Sequence, residues 1–271
     1  MLHRFTLLMS LVVIGIFGFH CEQASTQPQL DLSEKTSAPH QVPQILRKIP
    51  HLAPGFTQGL VWANGSLFES LGLYGKSEVR ELDAETGALR LRRSNSEKEF
   101  GEGLALQGDV LVQLTYREGY ALRYTREGLI PIEPRWNFST QGWGLTWMPD
   151  KQRFARSNGS AQVHFHNAID FTESSVIEVR RNGIPLHHIN ELEYARGRLY
   201  ANVYGTSAQA QHIFEIDPET GNVTAEIDFQ SLCASELLTV NRELNGIAYN
   251  SKQDIFYITG KNWRFIYLVR W

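Results

Sequence analysis

A five-residue motif that recurs along the chain constrains the fold more than any other feature. Its five copies are FTQGL (56–60), FGEGL (100–104), QGWGL (141–145), HINEL (188–192) and ELNGI (243–247). The fourth positions of successive copies are 44, 41, 47 and 55 residues apart. A repeat of roughly 40–50 residues is typical of one blade of a β-propeller. The motif therefore predicts five structurally equivalent units.

Each motif begins a pair of short, alternating apolar segments that flank a turn. The turns are Asn64-Gly65, Gly108-Asp109, Pro149-Asp150, Arg196-Gly197 and Asn250-Ser251. Such pairs predict five β-hairpins. Further turns at 83–87 (DAETG) and 217–221 (DPETG) separate outer strands, and segment 44–51 (QILRKIPH) is expected to pair with 263–270 and close the ring. The predicted fold class is all-β, a five-bladed β-propeller with four antiparallel strands per blade.

The N-terminal residues predict export. Residues 1–24 contain an apolar run that is shorter than the roughly 20 residues of a membrane span, which is typical of a signal peptide. Residues 25–42 are polar and predict a linker, and residues 43–271 predict a single catalytic domain. We expect a periplasmic or extracellular protein. Three alternatives stay open for the N-terminus: a cleaved signal, an uncleaved anchor, or a lipoprotein anchor at Cys21.

Charge and cysteine content exclude several classes of protein. The 26 Lys and Arg residues against 29 Asp and Glu residues give a net charge of −3, without a basic run that would bind nucleic acid. Only Cys21 and Cys233 occur, and no Cys/His cluster is present. This pattern excludes a finger-type zinc site and a disulfide framework. We expect a monomer.

The residue before the fourth position of each motif predicts a functional site. Equivalent positions at the start of the innermost strands surround the central channel of a propeller, so five such side chains would meet at one pocket. They are Gln58, Glu102, Trp143, Asn190 and Asn245. One acid, three amides and one indole at equivalent positions favour a binding or catalytic site. The alternative is a set of polar residues that only hydrate the mouth of the channel.

Nine motifs in a fixed order resemble a known family. They are FTQGL, LFESLGLYGKSEVR, FGEGL, QLTY, GWGLT, NELEY, YANVY, LNGIAY and TGKNW, and they lie between residues 56 and 267. In this order they resemble the plant and bacterial glutaminyl-peptide cyclotransferases, also called glutamine cyclotransferases, of the five-bladed propeller type. The resemblance implies conversion of the N-terminal glutamine of peptides and proteins to pyroglutamate, with release of ammonia.

The resemblance also implies roles for individual residues. Glu102 would be the acid/base, and Asn190 and Lys261 would also be catalytic. Tyr116 and Tyr204 stand where the family pattern has tryptophans, so the aromatic wall is kept and its shape is altered. The expected substrate-binding residues are Gln58, Phe56, Phe100, Tyr116, Trp143, Tyr204 and Asn245.

The chemistry of cyclisation fits these residue types independently. An α-amine with a pKa of about 7.7–8.0 is partly neutral at working pH, so the nucleophile is available. A carboxyl group with a raised pKa can take the proton of the amine and return it to the leaving nitrogen. We expect Glu102 to do so, with Glu69 as a structural residue and second choice. No metal or cofactor is required, although a structural cation in the central channel stays open.

Two other functions remain as alternatives. A metal-dependent, lactonase-like propeller hydrolase would hold a divalent cation with Glu102, Asn190 and Asn245, but such sites usually need at least two carboxylates. A non-catalytic peptide-binding propeller would not need an acid and a lysine at the same pocket. Both alternatives therefore explain fewer of the residues than a cyclotransferase does.

Overall fold

The computed structural model describes residues 38–271, and five four-stranded antiparallel sheets account for most of them. Two short strands come first, β1 (His40–Gln41) and β2 (Gln44–Pro50). The first sheet is β3 (Thr57–Ala63), β4 (Ser66–Leu71), β5 (Glu78–Asp83) and β6 (Leu89–Ser94). The second is β7 (Gly101–Gln107), β8 (Val110–Thr115), β9 (Tyr120–Thr125) and β10 (Trp136–Asn137).

The later sheets follow the same order from the inside outward. The third is β11 (Leu145–Met148), β12 (Arg153–Ser157), β13 (Gln162–Asn167) and β14 (Glu173–Glu178), followed by a small hairpin of β15 (Arg180–Arg181) and β16 (Ile184–Pro185). The fourth is β17 (Ile189–Ala195), β18 (Arg198–Val203), β19 (His212–Ile216) and β20 (Val223–Asp228), with a 3₁₀ turn at Gln209–Gln211. Helix α1 (Gln230–Ser235) leads to β21 (Leu244–Asn250), β22 (Ile255–Gly260) and β23 (Phe265–Arg270).

Strand β2 closes the ring. It pairs antiparallel with β23, so the outermost strand of the fifth sheet comes from the chain before the first sheet. This pairing confirms the expectation from segment 44–51, and it ties the two ends of the propeller together. The arrangement as a whole confirms the predicted five-bladed β-propeller.

Apolar side chains fill the space between every pair of neighbouring blades. Five buried clusters occur, one for each of the interfaces between blades 1 and 2, 2 and 3, 3 and 4, 4 and 5, and 5 and 1. The alternation within each strand puts one apolar row on each face of a blade, so both faces are covered. Burial of these apolar rows is the main contribution to the stability of the folded propeller.

The end of the predicted linker belongs to the fourth blade. His40 and Gln41 pair in parallel with Glu226 and Ile227 of β20, and Ala38 is buried. The expected linker boundary at residue 42 was therefore too late. The physical reason is that β20 would otherwise present an unpaired sheet edge, which β1 covers. Residues 1–24 and most of 25–42 lie outside the described residues. Among the described residues, no helix is long and apolar enough to cross a membrane.

The glycines of the repeated motif allow the inner strands to approach closely. A Cβ atom at Gly103 would lie 2.4 Å from the backbone nitrogen of Leu145, in the next blade. The fourth blade has Glu191 at this position. Its carboxyl oxygens accept hydrogen bonds from the backbone N–H groups of Leu60 (3.3 Å) and Ile247 (3.0 Å). Glu191 thus links three inner strands across the channel.

Candidate active site

β-Bulges position the predicted ring residues. The register of the inner hairpin shifts at Thr57/Gly59, Gly101/Leu104, Ile189/Leu192 and Leu244/Ile247, in four of the five blades. Each shift contains one of the predicted residues, namely Gln58, Glu102, Asn190 or Asn245. A bulge turns a side chain away from the regular alternation of a strand. The bulges therefore direct Gln58, Glu102 and Asn190 toward the mouth of the channel.

Nine of the ten predicted site residues line one cavity of about 210 Å³. They are Phe56, Gln58, Phe100, Glu102, Tyr116, Trp143, Asn190, Tyr204 and Lys261. The cavity is smaller than the roughly 300–1,000 Å³ of a typical ligand pocket. It therefore suits a single amino-acid side chain rather than a large molecule.

Glu102 is a buried residue in the lining of this cavity. Its Oε1 accepts a hydrogen bond from Nε2 of Gln58 over 2.9 Å, whereas Oε2 has no hydrogen-bond partner within residues 38–271. Burial raises the pKa of Glu102 well above its usual range, and the charge of Lys261 and the Gln58 hydrogen bond oppose this shift. A carboxyl group in this state can both accept and donate a proton near neutral pH.

Asn245 lies behind Gln58 and does not line the cavity. Its Nδ2 donates to the side-chain Oε1 of Gln58 and to the backbone oxygen of Thr57, both over 2.8 Å. This placement does not favour the expected role of Asn245 in substrate binding. The bulge of β21 turns Asn245 toward the neighbouring blade, where it fixes the orientation of the Gln58 amide. That orientation points the NH₂ group of Gln58 at Glu102.

Lys261 is a buried cation beside the acid. Its Nζ lies 3.9 Å from Oε2 of Glu243, 4.7 Å from the ring centre of Phe56 and 4.6 Å from that of Tyr204. Burial lowers the pKa of Lys261, and the charges of Glu243 and Glu102 oppose this shift. Sequence reasoning missed Glu243, although it is the first residue of the ELNGI motif.

Asn190, on β17 of the fourth blade, contributes a side-chain amide to the cavity. Its backbone oxygen accepts a hydrogen bond from Oγ of Ser157 over 2.6 Å, which fixes the bulge. The side-chain Oδ1 is buried, and no group in the described part of the chain bonds to it. Asn190 therefore retains hydrogen-bonding capacity for a bound molecule.

Aromatic rings form the wall of the cavity. Consecutive ring centres are separated by 6.3 Å (Phe56–Phe100), 5.6 Å (Phe100–Tyr116), 6.5 Å (Tyr116–Trp143) and 5.7 Å (Trp143–Tyr204). Lys261, over both Phe56 and Tyr204, completes the circle. Tyr116 and Tyr204 thus keep the wall closed in place of indoles.

Glu69 lies outside the cavity in a buried charge cluster. Its Oε2 accepts hydrogen bonds from Nε (2.8 Å) and Nη2 (2.7 Å) of Arg80 and lies 3.1 Å from the ring of His51. Its Oε1 accepts a hydrogen bond from Thr57 over 2.6 Å. These partners outweigh burial and lower the pKa of Glu69 to about 2. A carboxyl group that is ionised at all working pH values is a poor proton carrier.

One group in the described chain has the composition of a metal site. His40, His212 and Glu226 lie together at the outer edge of the fourth blade, away from the residues of the cavity. Both oxygens of Glu226 already accept hydrogen bonds from Arg181, over 2.6 Å and 2.7 Å. Asn245 bonds to Gln58 behind the cavity, so Glu102, Asn190 and Asn245 do not form the divalent-cation site that the hydrolase alternative needs.

Comparison with known proteins agrees with this geometry. The family model for glutamine cyclotransferases matches residues 15–271. The chain belongs to the glutamine cyclotransferase family. A glutaminyl-peptide cyclotransferase of Arabidopsis thaliana is 31% identical over 268 residues, which cover 97% of this chain and 81% of the relative. The crystal structure of Myxococcus xanthus glutaminyl cyclase is similar with a TM-score of 0.77 and 33% identity, over 87% of this chain and 98% of that one. The cavity described above is thus the candidate active site of a glutamine cyclotransferase family member.

Proposed function

We propose that this chain is a glutaminyl-peptide cyclotransferase, and that Glu102 carries the proton of the reaction. The enzyme converts the N-terminal glutamine of peptides and proteins to pyroglutamate and releases ammonia. The observation that carries the assignment of Glu102 is its state in the cavity: a buried carboxyl with one oxygen held by Gln58 and the other free for a substrate.

The reaction needs one bond to form and one to break. The α-amino nitrogen of the substrate attacks the side-chain amide carbon, and its proton passes to Oε2 of Glu102. The tetrahedral intermediate then collapses, the carbon–nitrogen bond of the amide breaks, and Glu102 returns the proton to the leaving NH₂ group. Ammonia and a five-membered lactam result, and Glu102 ends in its starting state. Burial supports this cycle because it raises the pKa of Glu102 toward that of the substrate α-amine, whose proton Glu102 takes.

The ammonium group of Lys261 and the side-chain NH₂ group of Asn190, not its Oδ1, are the proposed hydrogen-bond donors for the oxygen of the reacting amide. Negative charge develops on that oxygen in the transition state, and donors fixed in a site shielded from water stabilise it strongly. Lys261 is held in place by Glu243 and two aromatic rings, and Asn190 by the bulge of β17. Their positions therefore need little rearrangement during the reaction.

The aromatic wall holds the substrate glutamine side chain in the conformation that cyclises. A glutamine side chain has several rotatable bonds, and cyclisation requires a folded conformer with the amine near the amide carbon. A narrow cavity with flat walls favours that conformer and lowers the entropic part of the barrier. A groove lined by Arg117, Gln141, Asn158 and His188 adjoins the cavity at Trp143 and Tyr204 and is the proposed path of the following peptide residues.

We further propose that catalysis is independent of metal ions and that the protein acts as a monomer outside the cytoplasm. The single carboxylate of the cavity supports metal independence, because cation sites usually need more than one. Residues 1–24 support export, with anchoring at Cys21 or through an uncleaved signal as the alternative to release.

Ammonia release from a Gln-led dipeptide tests the function. We expect ammonia and the matching pyroglutamyl product in equal amounts, and no product from the same dipeptide with an acetylated α-amine. The acetylated control separates cyclisation from hydrolysis of the side-chain amide, which would still release ammonia. Ammonia release from both peptides would contradict the proposed function.

A further inference from the structure

The opposite mouth of the central channel carries a second cavity. It has a volume of about 320 Å³, and strands from all five blades contribute to it. The inner strands run from the candidate active site to this mouth, so Trp62, four positions after Gln58 on β3, lies about 13 Å from it. The two cavities therefore lie at opposite ends of the same strands.

The repeat places a half-exposed apolar side chain from each blade around this second mouth. In each blade this side chain belongs to the residue that stands three positions after the fourth residue of the repeated motif. These five residues are Trp62, Leu106, Trp147, Tyr194 and Tyr249, and all of them line the cavity. Four of the five are aromatic. We call this set the lower ring.

Two aspartates at the rim hold the tyrosines of the lower ring. The hydroxyl of Tyr194 donates to Asp150 over 2.9 Å, and the hydroxyl of Tyr249 donates to Asp254 over 2.7 Å. Asp254 also pairs with Arg196 over 2.7 Å. Arg196 also lies over the ring of Tyr249, 5.7 Å from the ring centre. The hydroxyls and this arginine are therefore already engaged, and a ligand in the cavity would meet only the ring surfaces that the protein leaves uncovered.

Glu193 lies beside the lower ring, and its carboxyl group accepts a hydrogen bond from the backbone N–H of Tyr249. The equivalent positions of the other blades hold Val61, Ala105, Thr146 and Ala248. Glu193 lines the cavity and forms no salt bridge with any residue in 38–271. Burial raises its pKa well above the usual range. A positive charge placed beside it would oppose that shift, because an opposite charge favours the ionised carboxylate.

We propose that the lower ring and Glu193 form a binding site for a small organic cation, such as an alkylammonium group. Aromatic faces attract a cation through the quadrupole of the ring, and a carboxylate at the base of the cavity supplies the opposite charge. Lys252, whose Nζ lies 6.0 Å from the ring centre of Trp62, and the paired Arg196 stand at the rim. Their positive charges disfavour a cation at the rim, so the ligand must enter the cavity as far as Glu193. This proposal is independent of the reaction at the other mouth.

The test uses the full chain and two probes of the same shape. Choline carries a quaternary ammonium group, and dimethylbutanol is its neutral isostere. Calorimetric titration at mildly alkaline pH gives the affinity of each, and the ring-current shift of the choline methyl protons reports contact with aromatic rings. We expect choline to bind at least about 10-fold more tightly than dimethylbutanol, as one cation–π contact with an ion pair implies.

Two variants locate the site. Glu193→Gln keeps the shape and removes the charge, and Trp147→Leu removes one ring face; each should weaken choline binding by about 5- to 30-fold. Glu97→Gln, an exposed acid elsewhere, should bind choline as the wild type does. Cyclase turnover of a Gln-led dipeptide should be unchanged in Glu193→Gln and Glu97→Gln, which shows that both are folded.

Three results would overturn the proposal. The first is equal binding of the two probes, or no binding of choline. The second is normal choline affinity in both Glu193→Gln and Trp147→Leu. The third is competitive inhibition of the cyclase by choline, which would place the cation at the other mouth.

Discussion

Gln58 and Glu102, which occupy equivalent positions in neighbouring blades, are joined by a hydrogen bond of 2.9 Å from Nε2 to Oε1. The bond links the first and second blades. It leaves Oε2 as the oxygen that meets the substrate. The architecture of the repeat thus decides which oxygen of the acid carries the proton.

Loss of the Gln58 amide should move the pH dependence of the enzyme. The hydrogen bond favours the ionised form of Glu102, so Gln58→Met should raise the pKa of Glu102 further. The acidic limb of the kcat/KM profile reports the pKa of the free enzyme and should move to higher pH. The measurement is kcat/KM against pH for a Gln-led dipeptide.

Asn245 provides the matched comparison, because it touches Gln58 and does not line the cavity. Asn245→Asp removes the NH₂ donor that holds the Gln58 oxygen, so the Gln58 amide is expected to turn its oxygen toward Glu102. The acidic limb should then move in the same direction as in Gln58→Met. A limb that stays in place in both variants would show that Gln58 does not set the pKa of Glu102.

Removal of Lys261 should affect both rate and pH dependence. Lys261→Met takes away a donor to the reacting oxygen, and turnover should fall by about 10²–10³, the usual cost of one oxyanion donor. It also removes an attraction that lowers the pKa of Glu102, so the acidic limb should move to higher pH. Steady-state kinetics across pH measure both effects.

Lys261→Met leaves Glu243 buried without its cation, so a double variant is the control for stability. Lys261→Met with Glu243→Gln removes both charges and should fold more stably than the single variant. If the double variant recovers full turnover, the lysine only neutralises Glu243. The proposed catalytic role would then be wrong.

Chelation should leave turnover nearly intact. The candidate active site offers one carboxylate, Glu102, and the proposed cycle uses that group and two donors from the protein itself. Exhaustive chelation followed by the ammonia assay tests this, with thermal unfolding as a parallel measurement. A lower melting temperature with unchanged turnover would point to a structural ion. Loss of turnover that zinc specifically restores would contradict metal independence.

Much of the fold could be predicted from the repeat, because the motif combines a glycine that allows close strand approach with a polar residue in a bulge. The positions of Gln58, Glu102 and Asn190 followed from that spacing. The pairing of β2 with β23 followed from an otherwise unpartnered strand and the need to close an edge.

Other features depend on contacts between blades that no local pattern encodes. Asn245 has the same position in its motif as Gln58, yet its side chain bonds to Gln58 instead of lining the cavity. The role of Glu191 as a link to Leu60 and Ile247 requires three strands brought together across the channel. Strand β1 cannot be predicted from the sequence, because two polar residues carry no strand signal of their own and pair only where the edge of β20 is present.

The Glu69–Arg80 pair should contribute to stability rather than to catalysis. The pKa of Glu69 in the folded protein, about 2, is below its usual value of 4.5. Its contribution is therefore fully present above pH 4.5 and is lost as pH falls toward 2. Glu69→Gln removes the closer carboxylate partner of the buried Arg80 and leaves Glu78 at 3.6 Å, so it should lower the free energy of unfolding at neutral pH by about 3 kcal/mol, the low end for a broken buried pair.

Urea unfolding from neutral to acid pH measures this effect, and the variant should also lose part of the acid dependence of the wild type. Turnover per folded molecule should stay near that of the wild type. If Glu69→Gln remains fully stable but loses turnover, Glu69 is part of the catalytic machinery and the assignment to Glu102 is incomplete.

The most direct test of the account is kcat against pH for the wild type and Glu102→Gln on a Gln-led dipeptide. The substitution keeps size and hydrogen bonding but removes the titrating group. We predict that kcat falls by about 10²–10⁴, the usual share of general acid–base catalysis, that KM changes little, and that the residual rate loses the acidic limb of the wild type. Near-normal kcat in a folded Glu102→Gln variant would contradict the central role of this residue.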